Sequence, residues 1–304
     1  MGKHDAKEDK TMNNKIKVNL YAFITVLIWG SGFPFTRMID GQLSSWSLGF
    51  IRCLLSAVVM LIIGKMCKIR KPFCKKDVFL FFVSGALGFS MYLTFFSLGL
   101  ETLSSATGSI ITAITPILVA MAAVKLYGEK INLIGWISIF CAFAGVVILL
   151  LWNGILSINI GAVWMLLTAI VFAGYNLMSR RFSNMGYTDV EVTTYSAIFG
   201  TIQTVVFMPG AISEMMQADI YSNLSAIYLG VIAGGVAYYL WSKALVLSER
   251  TSEVTNYLFV NPLIAAIIGF LMLHEMPDMG TYIGGAIIIA SVIIFSIKGN
   301  PGSK

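Results

Sequence analysis

The chain has 304 residues, 57% of them apolar and 12% charged, with a mean hydropathy of +0.82, whereas soluble domains carry roughly 25% charged residues; one aqueous core cannot hide this much apolar surface. The formal charge of +6 comes from Lys and Arg scattered in short segments between apolar runs, which excludes a nucleic-acid reader with its basic residues gathered on one soluble face. Cys53, Cys67, Cys74 and Cys141 form no CxxC and no Cys/His cluster, so no metal site, disulfide framework or cofactor is expected.

Residues 1–17 are polar and read as an unstructured tail with no cleavage site of their own, so the first apolar run is a retained helix. Apolar runs then recur near 18–37, 46–64, 77–99, 103–125 and 131–152, and again near 158–179, 190–209, 223–246, 253–273 and 279–297. Most are about the 20 residues that cross a bilayer as a helix, and their length argues against strands. The expectation is an all-α membrane protein with ten transmembrane helices.

Lys and Arg collect in short cytoplasmic loops. With the N-terminus inside, 18 of the 21 basic residues fall in inner segments, Arg37 falls outside, and Arg52 and Lys243 lie within spans. Both termini are therefore expected in the cytoplasm.

A shift of 143 to 146 residues brings the two halves into register. Trp29-Gly30-Ser31 with Arg37 meets Phe172-Ala173-Gly174 with Arg180, Gly85 meets Gly230, and Phe96-Ser97 meets Trp241-Ser242. Pro116 precedes Glu129 by 13 residues, as Pro262 precedes Glu275. Five spans per half is an odd number, so the halves should run in opposite directions. Loop 65–77, with six basic residues, has a counterpart at 210–222 with none, and that loop carries Glu214 and Asp219. The expected domains are a tail at 1–17, a first repeat at 18–152 and an inverted second repeat at 158–297, an arrangement by which many secondary transporters form two openings around one site.

The order of motifs carries a resemblance. Trp29-Gly30-Ser31-Gly32-Phe33 is followed by Arg52 with Ser56-Ala57, then Gly85, Gly88, Tyr92 and Phe96, then Thr115-Pro116 and Gly128-Glu129. The second copy has Asn261-Pro262 and His274-Glu275, with His where Gly is usual. Over nearly its whole length the chain resembles the EamA-type, ten-helix branch of the drug/metabolite transporter superfamily. The resemblance implies a cavity bounded mainly by spans three, four, eight and nine, with one, two, six and seven around it. It also implies a multi-pass plasma-membrane carrier that exports metabolites such as amino acids.

Arg52 lies roughly 9 Å along the axis from Trp46 at the outer end of span two. An intramembrane Arg needs a partner or a wet cavity; it either receives a substrate carboxylate or bonds a neighbouring helix. Lys243 is close enough to the inner end of span eight to snorkel. Polar groups at depth mark a cavity or tie helices together: Asn176 in span six, Asn256 and Asn261 in span nine, and Ser109, Thr112 and Thr115 in span four. Trp29, Tyr92, Tyr238 and Trp241 suit the aromatic wall of a ligand site. The candidate substrate-binding residues are thus Trp29, Arg52, Tyr92, Ser109, Thr112, Asn176, Tyr238, Trp241 and Asn256. Pro116 and Pro262 free the carbonyls of Thr112 and Leu258, and are expected to mark paired bends used in alternating access.

No Asp or Glu lies deep in a span, so a buried carboxylate for proton coupling is not expected. There is no HExxH, no Asp/His cluster and no phosphate-binding Gly loop, which argues against an enzyme or an ATP-driven pump. A channel-like or sensory membrane protein remains the alternative. The expected partners are a small-molecule substrate and membrane lipid, with a homodimer left open and no nucleic acid.

Overall fold

The computed structural model describes residues 2–67, 69, 74–128, 130–152, 159–247 and 256–299, and within them every regular element is helical. In chain order we label the rods α1 (Gly2–Met38), α2 (Ser45–Met66), α3 (Lys75–Leu100), α4 (Ser105–Leu126), α5 (Leu133–Leu151), α6 (Ile160–Asn184), α7 (Asp189–Gln217), α8 (Ile220–Ala244), α9 (Asn261–Leu273) and α10 (Met279–Ile294). Seven of them, α1–α4 and α6–α8, are long and apolar enough to cross a membrane, while α5, α9 and α10 are shorter apolar helices. The chain is a multi-pass membrane protein. The expected span 253–273 is observed as a 3₁₀ turn at Asn256–Val260 followed by 13 residues of α-helix, and its first residues lie outside those described.

Short polar side chains start the rods where the sequence supplies them. Ser44, Asn132, Asn159, Thr188, Asp219 and Asp278 each accept a backbone N–H from the first turn that follows. Thr188 and Glu191 close a capping box in which each side chain bonds the other's backbone. Two expectations about segment ends are corrected. The polar 1–17 stretch continues α1 back to Gly2, in keeping with its Lys, Glu and Ala content. The outer loop 210–222 is largely helix, because α7 runs on through Val205–Phe207 and Met208–Gln217, with Pro209 in the first turn where its missing N–H costs nothing.

Besides the 3₁₀ segment within α7, four more rods carry irregular segments. The α3 rod carries a π segment at Ala86–Ser90 and α8 one at Leu229–Val236. The α4 rod breaks at Ala113–Ile114 before the piece Thr115–Tyr127, and α9 follows its 3₁₀ turn. Pro116 and Pro262 are each the second residue of a 13-residue piece, so they begin helices and do not kink them mid-length. Each piece ends on a left-handed residue, Gly128 (φ 67°) in one and His274 (φ 54°) in the other. Only the glycine adopts that conformation without a Cβ clash.

Packing pairs recur between the halves. Helix α1 packs on α8 and α9, and α6 packs on α3 and α4; α2 packs on α8, and α7 on α3. The pairs α2–α7, α4–α9 and α5–α10 each join one half to the other. Small residues permit the approach: Gly88 lies under the ring of Tyr175, Gly234 against Ser56, and Gly284 against the Gly145 carbonyl. The outward faces are apolar, as at Phe79, Leu133, Phe140 and Val206, which suits lipid.

Candidate functional site

Arg52 is the eighth of the 22 residues of α2, two turns in from its start, and only 6% exposed. Its Nε and Nη1 are buried and have no hydrogen-bond partner. Its guanidinium carbon is 5.2 Å from the centroid of the Phe96 ring, and the phenols of Tyr92 and Tyr238 lie in its neighbourhood. A guanidinium brings five donors and a permanent charge, and cation–π attraction to an aromatic face returns only part of its lost hydration.

The walls around it come from α1, α3, α6 and α8. On α3, Tyr92 and Phe96 lie one turn apart with rings 6.0 Å from each other. Phe33 of α1 sits 4.8 Å from Phe96, and Phe172 of α6 sits 4.8 Å from Tyr92. From α8, Tyr238 packs 5.3 Å from Trp29 and 5.9 Å from Phe89. Trp241 packs 5.2 Å from Trp29, whose indole N–H donates to the Ala233 carbonyl in the π segment of α8. The tertiary structure thus gathers Trp29, Arg52, Tyr92, Tyr238 and Trp241 in one region.

The remaining candidates are placed differently. Ser109 donates to the Ala106 carbonyl, and Thr112 to those of Gly108 and Ser109, all within α4. Asn176 is exposed and its Nδ2 donates to the Phe172 carbonyl one turn back. The side chain of Asn256 lies outside the described residues. The Thr112 carbonyl freed by Pro116 accepts the Thr115 hydroxyl at 2.7 Å, so it is already engaged. Asn261 keeps a buried Oδ1 without a partner. Phe33 and Phe172 were read only as landmarks of the repeat and the resemblance, and Phe89 and Tyr175 were not singled out, because an aromatic residue in an apolar helix looks like ordinary packing until its neighbours are known.

A second constellation sits at the Arg37 end of the bundle. Arg37 Nε donates to Glu275 Oε1 at 3.0 Å, and its Nη1 donates to the carbonyls of Leu100 at 2.7 Å and Glu101 at 3.3 Å. The other Glu275 oxygen accepts the Ser105 backbone N–H at 2.7 Å, at the first residue of α4. One carboxylate therefore ties the exit of α9 to the end of α1 and the start of α4. Beside it a small cleft is lined by Thr36, Ser45, Leu48, Ser97 and Glu101. Leu48 is one turn from Arg52, about 6 Å along the axis, and Ser97 follows Phe96, so two lining residues of the cleft are close in sequence to the guanidinium and its ring. At the opposite, basic end, Phe81 and Phe182 stack at 4.0 Å and the Tyr187 hydroxyl donates to Asp77 at 2.6 Å. Burial, and then that carboxylate, push the Tyr187 phenol up to about 12.

The model of the EamA-like transporter family matches this chain twice, at residues 16–151 and 159–297. The chain belongs to that family. Among its relatives, the uncharacterized transporter YdfC of Bacillus subtilis is 28% identical, with 95% of this chain and 94% of the relative aligned. A probable terminal-alkyne amino-acid exporter of Streptantibioticus cattleyicolor is 26% identical over 90% and 91%. An S-adenosylmethionine uptake transporter of Rickettsia bellii is 25% identical over 86% and 88%. One crystal structure aligns over 91% of this EamA chain and 94% of its own with a TM-score of 0.58 at 18% identity, a likeness of fold alone. Family and relatives point to transport and not to an enzyme.

Proposed function

We propose that this EamA chain is a secondary transporter that moves a small metabolite, of about amino-acid size, outward across the plasma membrane by alternating access. All ten helices span, with both termini in the cytoplasm, as inverted repeats at 18–152 and 158–297. Three observations support the inversion: the odd number of helices per half, the opposite loop charges, and the exchange of packing partners between α1–α5 and α6–α10. The relatives named for an amino-acid exporter and for S-adenosylmethionine uptake suggest the size of the cargo.

The observation that carries the reading is Arg52, buried without a hydrogen-bond partner inside an aromatic shell. A charge held in this way is costly and marks a substrate path; a bound carboxylate supplies what it lacks. Trp29, Tyr92, Tyr238 and Trp241 then form the walls, and the Arg37–Glu275 contact closes the outer mouth. The π segments of α3 and α8 and the breaks in α4 and α9 are the places where these helices bend between the two openings, since irregular backbone at membrane depth belongs where it lines a cavity.

The test is counterflow in proteoliposomes loaded with a ligand first found by thermal stabilisation. Saturable uptake accelerated by internal ligand is expected. Flux that rises linearly with concentration, or no flux of a ligand that demonstrably binds, would leave a channel or a sensor in its place.

A further inference from the structure

We infer that the Arg52 cluster selects an organic anion, a carboxylate on a flat apolar body, over a zwitterion or a cation. The inference rests on the carrier reading above and narrows it to a substrate class.

The argument is one of charge balance. Arg52 contributes a fixed positive charge at depth, with Nε and Nη1 unsatisfied, and among the described residues it is not part of the ion pairs that Arg37 makes with Asp40 and Glu275. Among the described residues, Asp40, Glu101, Glu214, Asp219, Glu275 and Asp278 all sit at rod ends or in connections, and Asp77, Asp189 and Glu191 are likewise at the first turns of α3 and α7. A carboxylate entering this site neutralises the guanidinium and accepts its two free N–H groups. A cation entering meets a like charge. A zwitterion gains the same contact through its carboxylate, but its ammonium loses water with no carboxylate in the shell to receive it.

The shape of the shell agrees. Phe96 turns its face to the guanidinium carbon at 5.2 Å, and rings pack on rings around it, Phe172 beside Tyr92 at 4.8 Å and Trp29 beside Trp241 at 5.2 Å. The indole N–H of Trp29 is already spent on the Ala233 carbonyl. Flat apolar walls around one charged anchor suit a planar body that carries a single acid group.

Three probes with the same ring and chain length separate the terms: 3-phenylpropanoate carries only the acid, L-phenylalanine both groups, and phenethylamine only the amine. Binding to the full chain in lipid nanodiscs is read from tryptophan fluorescence, with Trp29 and Trp241 as reporters, and from thermal shift. We expect 3-phenylpropanoate to bind at least tenfold more tightly than phenylalanine, with phenethylamine weakest. Arg52→Gln should weaken the acid at least tenfold and, by removing the like charge, strengthen the amine; Arg52→Lys, which keeps the charge, should bind the acid with intermediate strength. The ranking on the unsubstituted protein decides the matter even if the variants fold poorly. Equal binding of acid and amine, or of none of the three, overturns the inference. Equal, Arg52-dependent binding of acid and phenylalanine overturns the anion preference but leaves the carboxylate site standing. Tight binding of the acid without counterflow would instead remove the carrier reading and keep the binding class.

Discussion

Replacing Glu275 with Gln keeps the side chain's size and removes its charge. In the structure that carboxylate accepts Arg37 Nε at 3.0 Å and the Ser105 N–H at 2.7 Å, and the two side chains of the ion pair are 27% and 13% exposed. Hydrogen bonds to charged groups are worth about 1.5–3 kcal/mol, against about 0.5–1.5 kcal/mol for neutral ones. Solvent and salt at this partly exposed end reduce the difference. A loss of about 2 kcal/mol follows, and at about 1.4 kcal/mol per tenfold this is about 30-fold in an equilibrium constant. If the bonds exist only while the outer mouth is closed, the substitution raises the open population by up to that factor. Ser97, buried in the cleft below the contact, serves as the reporter: Ser97→Cys is placed in a background lacking Cys53, Cys67, Cys74 and Cys141. Its reaction with a membrane-impermeant maleimide on intact cells should be 10- to 30-fold faster in the Glu275→Gln variant. An unchanged labelling rate accompanied by a lower Tm would refute the reasoning, since Glu275 would then be a stabilising contact present in both states.

Three further outcomes are expected. A Cβ at Gly88 falls on the ring of Tyr175, so Gly88→Ala should separate α3 from α6 and cost about 1–3 kcal/mol; an unaltered Tm would mean that the ring yields freely. His274 holds φ 54° with a Cβ in place, so His274→Gly should raise stability by up to about 1 kcal/mol, while Gly128→Ala should lower it by a similar amount; heat denaturation in detergent compares the two. Tyr187→Phe removes the 2.6 Å bond to Asp77, for about 1.5–3 kcal/mol. Because the folded-state phenol is raised from 10 to about 12, the stability it contributes is fully present below pH 10 and is lost as pH rises toward 12. The Phe variant should lack that step in a Tm-against-pH profile, and a step of equal size in both proteins would assign it to another group.

The charge placement explains why the two ends of the bundle are built so differently. At the Arg37 end, contacts between the halves run through carboxylates: Glu275 to Arg37 and Ser105, and Glu214 to the backbone N–H and hydroxyl of Ser44 at 2.7 and 3.0 Å. At the basic end the described contacts between the halves include an aromatic cluster of Phe81, Phe182 and Tyr187, with Asp77 engaged by a phenol, and neutral hydrogen bonds such as Asn132 Nδ2 to the Lys298 carbonyl. Ionic contacts weaken with salt and local hydration, whereas stacked rings do not. The contacts at the two ends of the bundle should therefore respond differently to ionic strength.

Hydropathy by itself determined that this is a helical membrane protein, because apolar runs of bilayer length admit no other well-paired backbone. The offset of 143 to 146 residues anticipated local devices that recur in the folded chain, from the left-handed exits at Gly128 and His274 to the prolines that open the pieces Thr115–Tyr127 and Asn261–Leu273. These features are local, so spacing along the chain is enough to reveal them. The length of α7 and the π segments were not legible, since one apolar stretch satisfies several hydrogen-bond registers about equally. The surroundings of Arg52 were decided only by tertiary structure. Its shell draws on α1, α3, α6 and α8, and nothing along the chain says whether an intramembrane guanidinium meets a carbonyl, a carboxylate or a ring. The same holds for Arg37 and Glu275, which are 238 residues apart: each reads as an ordinary end charge until folding sets one 3.0 Å from the other.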